Sequence, residues 1–207
     1  MARSGSKSSQ RWLDEHASDP YVKQALADGY RSRAAYKLIE LDEKDHFIRP
    51  SSVILELGAA PGGWTQYLSR RAGSDSTVIA SDILPMDALP GVHFVLGDFT
   101  EQITADEIAL VMKNRRADLV LSDMAPNISG VGVADQARAM GLVELALESA
   151  VEFLSLDGVF VVKVFQGVGF DDYMRQVRKT FRSVKTRKPA ASRARSREVY
   201  VVARNLI

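Results

Sequence analysis

The sequence predicts an α/β fold, in which a seven-stranded, mostly parallel, Rossmann-like sheet has helices on both faces and an antiparallel hairpin at its C-terminal end. Five short apolar runs rich in Val, Ile and Leu alternate with stretches of helical periodicity, which is typical of a parallel sheet covered on both sides. Two strand-like stretches then follow the last helix, separated by a basic loop. These two stretches predict the closing hairpin.

The elements follow in a simple order along the chain. Residues 1–18 are small and polar and predict a mobile tail, and residues 19–207 predict one domain. Helices are expected from 20, over 32–42, from 104, over 135–154 and over 170–181. The helix from 104 is expected because Thr104 and Glu107 have capping-box spacing. The strands are expected at 53–55, 77–80, 92–96, 118–121, 158–164, 182–188 and 198–203.

A glycine-rich turn follows the first predicted strand, with the sequence Glu-Leu-Gly-Ala-Ala-Pro-Gly-Gly-Trp over residues 56–64. Parallel α/β sheets bind nucleotide-type ligands at this edge, and glycine lets the backbone approach them closely. The dinucleotide pattern has its second glycine where this chain has Ala60 and Pro61. The turn therefore favours a cofactor without phosphates, such as S-adenosylmethionine, over NAD. A tight turn that binds no ligand is the alternative.

Acidic residues end the next three predicted strands. Asp82 lies roughly 20 residues after the glycine turn, where a carboxylate can accept two hydrogen bonds from a ribose diol. Asp98 and Phe99 suit the amino group and ring face of an adenine. Asp123 follows the fourth strand. Since the carboxyl ends of parallel strands share one edge, these side chains are expected to lie together.

Basic residues are concentrated at the C-terminal end of the chain. Residues 175–207 contain eleven Lys or Arg against one acid, whereas residues 1–174 contain 16 basic and 25 acidic residues, although the net charge is only +1. This segregation predicts a positive face that contacts phosphate backbones. A solvated, charged surface is the alternative for individual members. The residues expected to contact RNA are Arg31, Arg33, Arg187, Lys188, Arg193, Arg195 and Arg197.

Composition excludes several chemistries. The sequence has no cysteine, which excludes disulfides, thiolate metal sites and thiolate nucleophiles. Its three histidines lie far apart, so we expect no protein-bound metal. No apolar run approaches the length of a membrane span, and the N-terminal residues do not form a signal-peptide pattern. We therefore expect a cytoplasmic protein without membrane contact.

Four motifs together resemble one family. They are the glycine turn at 56–64, Asp-Met-Ala-Pro-Asn at 123–127, Val-Lys-Val-Phe-Gln-Gly at 162–167 and the basic stretch 188–200 that ends in Glu-Val-Tyr. In this order they resemble the FtsJ/RrmJ (RlmE) family of bacterial ribosomal RNA ribose 2′-O-methyltransferases, which are associated with heat shock. The resemblance implies the class I methyltransferase fold with S-adenosylmethionine as cofactor.

The resemblance also implies a catalytic tetrad of Lys37, Asp123, Lys163 and Glu198, and all four residues are present. Lys163 stands out independently of the family. Apolar residues flank it on both sides, so its ammonium must either reach out to solvent or be paired in a site. The cofactor residues implied by the resemblance and the turn are Glu56, Gly58, Gly62, Gly63, Trp64, Asp82, Asp98, Phe99 and Asp123. Trp64 could instead anchor the following helix in the core.

The family further implies a substrate, a uridine of the A loop of 23S RNA in the large ribosomal subunit, and a monomer is expected. Three alternatives remain open. An adenine N-methyltransferase is disfavoured because Asp-Met-Ala-Pro lacks an aromatic stacking residue. A 2′-O-methyltransferase of mRNA caps or tRNA would share the tetrad. A ribosome assembly factor with a vestigial cofactor site would keep only the binding role.

Overall fold

The fold is a single seven-stranded sheet between two layers of helices. The computed structural model describes residues 18–113, 115–126 and 129–207, and the predicted tail lies outside them apart from Ser18. The helices are α1 Pro20–Ala27, α2 Ala34–Asp45, α3 Gly63–Ala72, α4 Gln102–Met112, α5 Gly132–Phe153 and α6 Phe170–Thr180. The strands are β1 Val53–Leu57, β2 Thr77–Asp82, β3 Val92–Leu96, β4 Ala117–Ser122, β5 Leu154–Phe165, β6 Phe181–Arg187 and β7 Glu198–Leu206.

The strand order confirms the predicted fold class. It runs β3-β2-β1-β4-β5-β7-β6. The pairs among the first five strands are parallel, and β7 pairs antiparallel with both β5 and β6. The chain reverses direction along the sheet after β3, and ligands of open α/β sheets bind at such switch points. Because β7 is antiparallel, its first residue lies at the same edge as the carboxyl ends of the other strands.

The two sides of the sheet have separate cores. On one side α4, α5 and α6 cover inward-facing residues such as Leu55 and Val162. On the other side α2 and α3 cover Ile54, Val161 and Tyr200. Alternation along a strand therefore puts Lys163, two residues after Val161, on the α2/α3 side. The chemistry-bearing residues of β1, β5 and β7 share this side.

One predicted helix start is wrong. Helix α4 begins at Gln102, with Glu101 at its N-cap position, and Thr104 lies inside the first turn. The Thr104 side chain is buried against the backbone of Gly97. A Cβ on residue 97 would lie 2.4 Å from the Thr104 hydroxyl oxygen, which is too close. Packing between α4 and the end of β3 therefore overrides the capping-box signal. The other predicted elements are present, with ends shifted by a few residues.

The position of α2 is fixed at its C-terminal end by two buried acids. Asp42 Oδ1 accepts hydrogen bonds from the backbone N–H groups of Phe47 and Ile48, at 3.1 and 2.9 Å. Its other oxygen accepts from the Tyr67 hydroxyl at 3.1 Å. Asp45 forms a bidentate ion pair with Arg187 of β6, at 2.7 and 2.8 Å. These contacts hold α2, which carries Lys37, against α3 and the terminal hairpin.

Two further structural findings concern membrane spans and metal sites. Within the described ranges, no helix is long and apolar enough to cross a bilayer. Within the same ranges, no group of three or more His, Asp or Glu side chains could hold a metal ion.

We predict that Asp42→Asn destabilises the protein by about 2–3 kcal/mol. Asparagine has one acceptor oxygen in place of two, so either the backbone N–H groups of Phe47 and Ile48 or the Tyr67 hydroxyl would meet an NH2 group and stay unpaired. Urea unfolding followed by circular dichroism measures the loss. Glu43→Gln, at the exposed neighbouring position, is the matched control. A loss no larger than that of the control would contradict this role of Asp42.

Candidate active site

The edge of the sheet where β1, β2 and β4 end carries the candidate site. Glu56 is the penultimate residue of β1, Asp82 is the last residue of β2 and Asp123 directly follows β4. Lys163 lies near the end of β5 and Glu198 begins β7. The predicted gathering of these charged residues at one edge is therefore what the topology produces.

Lys163 is buried, with 7% of its surface exposed, and its ammonium is paired. Its Nζ donates to the main-chain oxygen of Asp123 at 2.5 Å and lies 3.1 Å from Asp123 Oδ1. Of the two possibilities for this lysine, pairing in a site is the one realised. An ammonium has three N–H donors, so Lys163 retains the capacity to bind one further acceptor.

Tyr200 ties this pair to the rest of the edge. Its hydroxyl donates to Asp123 Oδ1 at 2.9 Å, and it lies opposite Lys163 in the β5–β7 ladder. The Lys37 ammonium lies 5.9 Å from the centroid of its ring. Burial, reinforced by Asp123 and Glu198, raises the pKa of the Tyr200 hydroxyl well above its usual value. Tyr200 therefore remains a hydrogen-bond donor at neutral pH and orients Asp123.

Lys37 and Glu198 form the second ion pair, at 2.7 Å between Nζ and Oε1. Both side chains are nearly buried. Burial acts to raise the pKa of the Glu198 carboxyl, but Lys37, helped by Ser192 and Lys163, outweighs it, so the pKa lies below its usual value. Glu198 is therefore ionised and holds Lys37 over the edge. The structure thus brings all four members of the predicted tetrad together as two adjacent ion pairs.

The glycine turn contains the tight geometry that the sequence indicated. Gly58 and Gly62 have φ values of 77° and 101°, in the left-handed region that favours glycine. A Cβ at Gly62 would lie 2.7 Å from the Met86 sulfur and 2.8 Å from the Arg31 guanidinium. A Cβ at Gly63 would collide with the Ser32 hydroxyl. The glycines thus let the 31–32 segment and the β2–β3 loop close over the turn.

The Asp82 carboxylate fixes the backbone of the glycine turn. One carboxylate oxygen accepts from the backbone N–H of Ala60 and the other from that of Leu84, both at 2.8 Å. Each oxygen has a further lone pair, so the carboxylate can still accept hydrogen bonds from a diol.

A small cavity lies between the glycine turn and Asp123. Ser32 lines it, and the buried Ser32 hydroxyl has no hydrogen-bond partner among the described residues. Burial, with Asp123 and Asp82 adding to it and the Thr65 hydroxyl at 2.7 Å opposing it, raises the pKa of the Glu56 carboxyl to about 8. The cavity is lined by Ser32, Ala34, Glu56, Gly58, Ala59, Ala60, Pro61, Gly63, Trp64 and Asp123. The carboxyl groups of Glu56 and Asp123 and the unpaired Ser32 hydroxyl therefore line the space where the turn would hold a ligand.

The remaining predicted cofactor residues have other contacts. The Trp64 indole is buried, donates to the main-chain oxygen of Ala34 at 2.8 Å and packs 5.8 Å from the Tyr200 ring. Trp64 is thus a core anchor as well as a residue of the cavity wall. Asp98 is exposed and accepts from the N–H and hydroxyl of Thr100. Phe99 packs against the core. Their assignment to an adenine stays a prediction.

The side chains of Arg31, Arg187 and Lys188, which the sequence predicted to contact RNA, are engaged within the protein. Arg31 donates to the main-chain oxygens of Pro61, Asp87 and Ala88 and closes the 31–32 segment onto the glycine turn. Arg187 is paired with Asp45. Lys188 donates to the main-chain oxygens of Ser196 and Glu198, at 2.6 and 2.7 Å. These cations therefore hold segments of the protein in place around the site.

Three other predicted RNA-contacting residues, Arg33, Arg193 and Arg195, line a second cavity, the basic cavity, beside Lys37 and Glu198 of the tetrad. Its lining residues are Arg33, Lys37, Arg193, Arg195, Ser196 and Glu198. Arg197 is exposed in the same loop. Since Lys37 and Glu198 belong both to this cavity and to the tetrad, a polyanion bound here would lie beside their ion pair.

Sequence reasoning missed two residues of the site. Tyr200 could have been found, because it lies two residues after Glu198 on the same strand and must face the same side. Asp19 pairs with Arg33 at 2.6 Å and with Arg193 at 3.7 Å. No local signal indicated these pairs, since they join residues far apart in the chain.

We predict that Glu56 makes stability fall as pH rises. Because the folded-state pKa is raised to about 8, the unfolded chain loses this proton at lower pH than the folded protein. Its contribution is fully present below the usual pKa of glutamate and is lost between about pH 5 and pH 8, by about 1–3 kcal/mol. Urea unfolding across this range should show the slope in the wild type and a much shallower slope in Glu56→Gln. Glu107→Gln, at an exposed position, is the control and should keep the slope of the wild type. A slope in Glu56→Gln equal to that of the wild type would contradict this prediction.

Comparisons with known proteins identify the family of this chain. Residues 30–206 match the family model of the FtsJ-like methyltransferases. The ribosomal RNA large subunit methyltransferase E of Marinobacter nauticus is 57% identical over 204 residues, which cover 99% of this chain and 98% of that protein. The protein of the same name from Pseudomonas aeruginosa is 56% identical with the same coverage.

Solved structures of methyltransferases have a similar fold. A protein of Plasmodium falciparum described as a ribosomal RNA methyltransferase has a TM-score of 0.75 and 28% identity, covering 86% of this chain and 98% of that one. Human methyltransferase-like protein 13, in complex with SAH, has a TM-score of 0.54 and 14% identity over 83% of this chain and 79% of that one, which shows likeness of fold. The family indicated by the four sequence motifs is confirmed: the chain belongs to the FtsJ-like methyltransferases.

Proposed function

We propose that this protein transfers the methyl group of S-adenosylmethionine to a ribose 2′-oxygen of 23S ribosomal RNA, at a uridine of the A loop in the large subunit. The observation that carries the proposal is the ion pair of Lys163 with Asp123, which lines the cavity at the glycine turn, close to Glu198, which lines the basic cavity. The large-subunit relatives, which match nearly the whole chain at more than half identity, support the choice of substrate. We further propose a cytoplasmic monomer that acts in ribosome maturation.

The residues present fit S-adenosylmethionine. This cofactor is cationic at its sulfonium and amino groups, and it supplies the electrophilic methyl group when bound. Asp82 would accept hydrogen bonds from its ribose diol. The Asp123 carboxylate suits its cationic end, the Glu56 carboxyl can accept a hydrogen bond there, and the unpaired Ser32 hydroxyl is available as a donor. Asp98 and Phe99 would meet the adenine.

The acceptor is a weakly acidic hydroxyl, so it needs alignment and a partner for its developing negative charge. Positioning the 2′-oxygen within about 3–3.5 Å of the methyl carbon supplies much of the acceleration. Lys163 is held by Asp123 as an ammonium donor, and it orients the hydroxyl and stabilises the forming alkoxide. The proton leaves to solvent. Lys37, held by Glu198, adds positive charge on the side of the basic cavity.

The proposal is tested with tritiated S-adenosylmethionine and large subunits from cells that lack the enzyme. Free ribosomal RNA and tRNA are offered in parallel, and the labelled RNA is digested to locate the methyl group. Label on a ribose 2′-oxygen, strongest in the large subunit, is expected. Label on a base would contradict the proposed reaction. Cofactor binding without transfer would favour an assembly factor.

We predict that Lys163→Met lowers kcat by about 10²–10⁴-fold, because the orienting and charge-stabilising group is lost. Methionine keeps most of the apolar stem, so cofactor affinity measured by calorimetry should remain within a few fold. Lys179→Met, at an exposed position of α6, is the matched control. Retention of kcat in Lys163→Met would remove Lys163 from the mechanism.

We predict that Asp82→Asn weakens S-adenosylmethionine binding by about 10–100-fold. The amide replaces one acceptor with a donor and loses the charge that strengthens hydrogen bonds to the diol. Calorimetric titration gives Kd, and a thermal melt of the free protein separates this effect from loosening of the glycine turn through Ala60. Unchanged Kd in a folded variant would show that the diol binds elsewhere.

A further inference from the structure

Asp19 lies where an anion meets the basic cavity. Its Oδ2 is 2.6 Å from Arg33 Nη1 and 3.7 Å from Arg193 Nε. The carboxylate is nearly buried, with 9% of its side chain exposed. One oxygen of one carboxylate thus pairs with two arginines that come from the start of α2 and from the β6–β7 loop.

Both arginines also line the basic cavity. Lys37 and Glu198 form another part of its wall. An anion bound by Arg33 and Arg193 would therefore belong to the molecule whose reacting group reaches Lys163. For an RNA chain, the anionic group nearest a ribose is a backbone phosphate.

The arginine pair is a prepared site for such an anion. Arg33 Nη2 donates to the main-chain oxygen of Ala191 at 2.5 Å, and Glu40 accepts from the backbone N–H groups of Ala190 and Ala191. The guanidinium and the loop are thus fixed before any ligand binds. The Arg33 Nε group is buried and finds no acceptor among the described residues. Guanidinium groups match the geometry of phosphate oxygens and bind them with paired donors.

Asp19 itself is held in place. Its Oδ1 accepts from the backbone N–H of Tyr21 at 3.0 Å and caps the N-terminus of α1. The side chain therefore presents Oδ2 to the arginines as a fixed negative charge. Arg193 is the more exposed partner, with 27% of its side chain accessible, against 16% for Arg33. The long contact to Arg193 is the one that a phosphate can take over most easily.

We propose that Arg33 and Arg193 form the binding site for one backbone phosphate of the RNA substrate, and that Asp19 occupies this site as an internal counter-anion when RNA is absent. The inference rests on the proposed RNA substrate and names the phosphate contact beside the reacting ribose. It has an unusual consequence, since removing one acidic residue outside the catalytic tetrad should strengthen RNA binding. Without RNA, the same acid partly compensates the charge of two partly buried arginines.

The test is RNA binding by Asp19→Asn. Asparagine caps a helix as well as aspartate does, so this variant keeps the cap of α1 and removes only the charge. The probe is a short fluorescein-labelled single-stranded polyuridine, titrated by anisotropy without cofactor. We expect affinity about 3- to 10-fold higher than that of the wild type. We also expect a plot of log Kd against log salt steeper by roughly 0.7, the change for one additional phosphate contact on single-stranded RNA.

Two controls make the result specific. Asp157→Asn removes the same charge at an exposed position at the opposite edge of the sheet, and it should change affinity much less. In an Arg193→Ala background the gain from Asp19→Asn should shrink, because one of the two partners is missing. Unchanged or weaker binding in Asp19→Asn, or a gain equal to that of Asp157→Asn, would overturn the inference, as would absence of probe binding by the wild type.

The proposed function fails independently of this inference. It fails when the methyl label is absent from ribose 2′-oxygens, which is read in the transfer assay and does not depend on Asp19. A higher affinity in Asp19→Asn with label on a base would keep the phosphate site and reject the proposed reaction. Label on a ribose with no change in affinity would do the reverse.

Discussion

Antiparallel pairing of β7 with β5 is the constraint on which the site depends. In a sheet of parallel strands alone, the first residue of a strand lies at the edge opposite to the ligands. Reversal of β7 brings Glu198 to the carboxyl edge and sets Tyr200 opposite Lys163. The tyrosine then reaches Asp123, which follows β4 on the far side of β5. Three strands are thus joined by side chains at the point where the backbone ladder ends.

Pairing of buried charge explains why these residues occur as two pairs. An unpaired ammonium at the position of Lys163, inside the sheet, would be strongly destabilising. Asp123 compensates it with both its main-chain oxygen and its carboxylate, and Tyr200 fixes that carboxylate. Lys37 and Glu198 neutralise each other in the same way. Each cation is then held at a defined position, which the role proposed for Lys163 toward a substrate hydroxyl requires.

The basic residues divide into two groups in the folded protein. Arg31, Arg187 and Lys188 bind acids or main-chain oxygens of the protein and fix the segments around the site. Arg33, Arg193 and Arg195 line the basic cavity, where Arg33 and Arg193 also pair with Asp19. A count of charges along the chain cannot separate these groups, because it does not show which carbonyl oxygens lie within reach. The cations that line the cavity beside Lys37 and Glu198 are therefore only some of those that the C-terminal composition counts.

The sequence by itself determined the fold class, the strands, the glycine turn and the identity of the charged residues at the sheet edge, because these depend on local periodicity and on short motifs. It also indicated that Lys163, flanked by apolar residues, needs a partner or a path to solvent. Tertiary structure alone decided that the partner is Asp123, that Trp64 anchors the core and that Thr104 lies inside α4 against Gly97. It also decided that Asp19 meets Arg193. Such contacts join residues from distant parts of the chain, and packing rather than local sequence sets their distances.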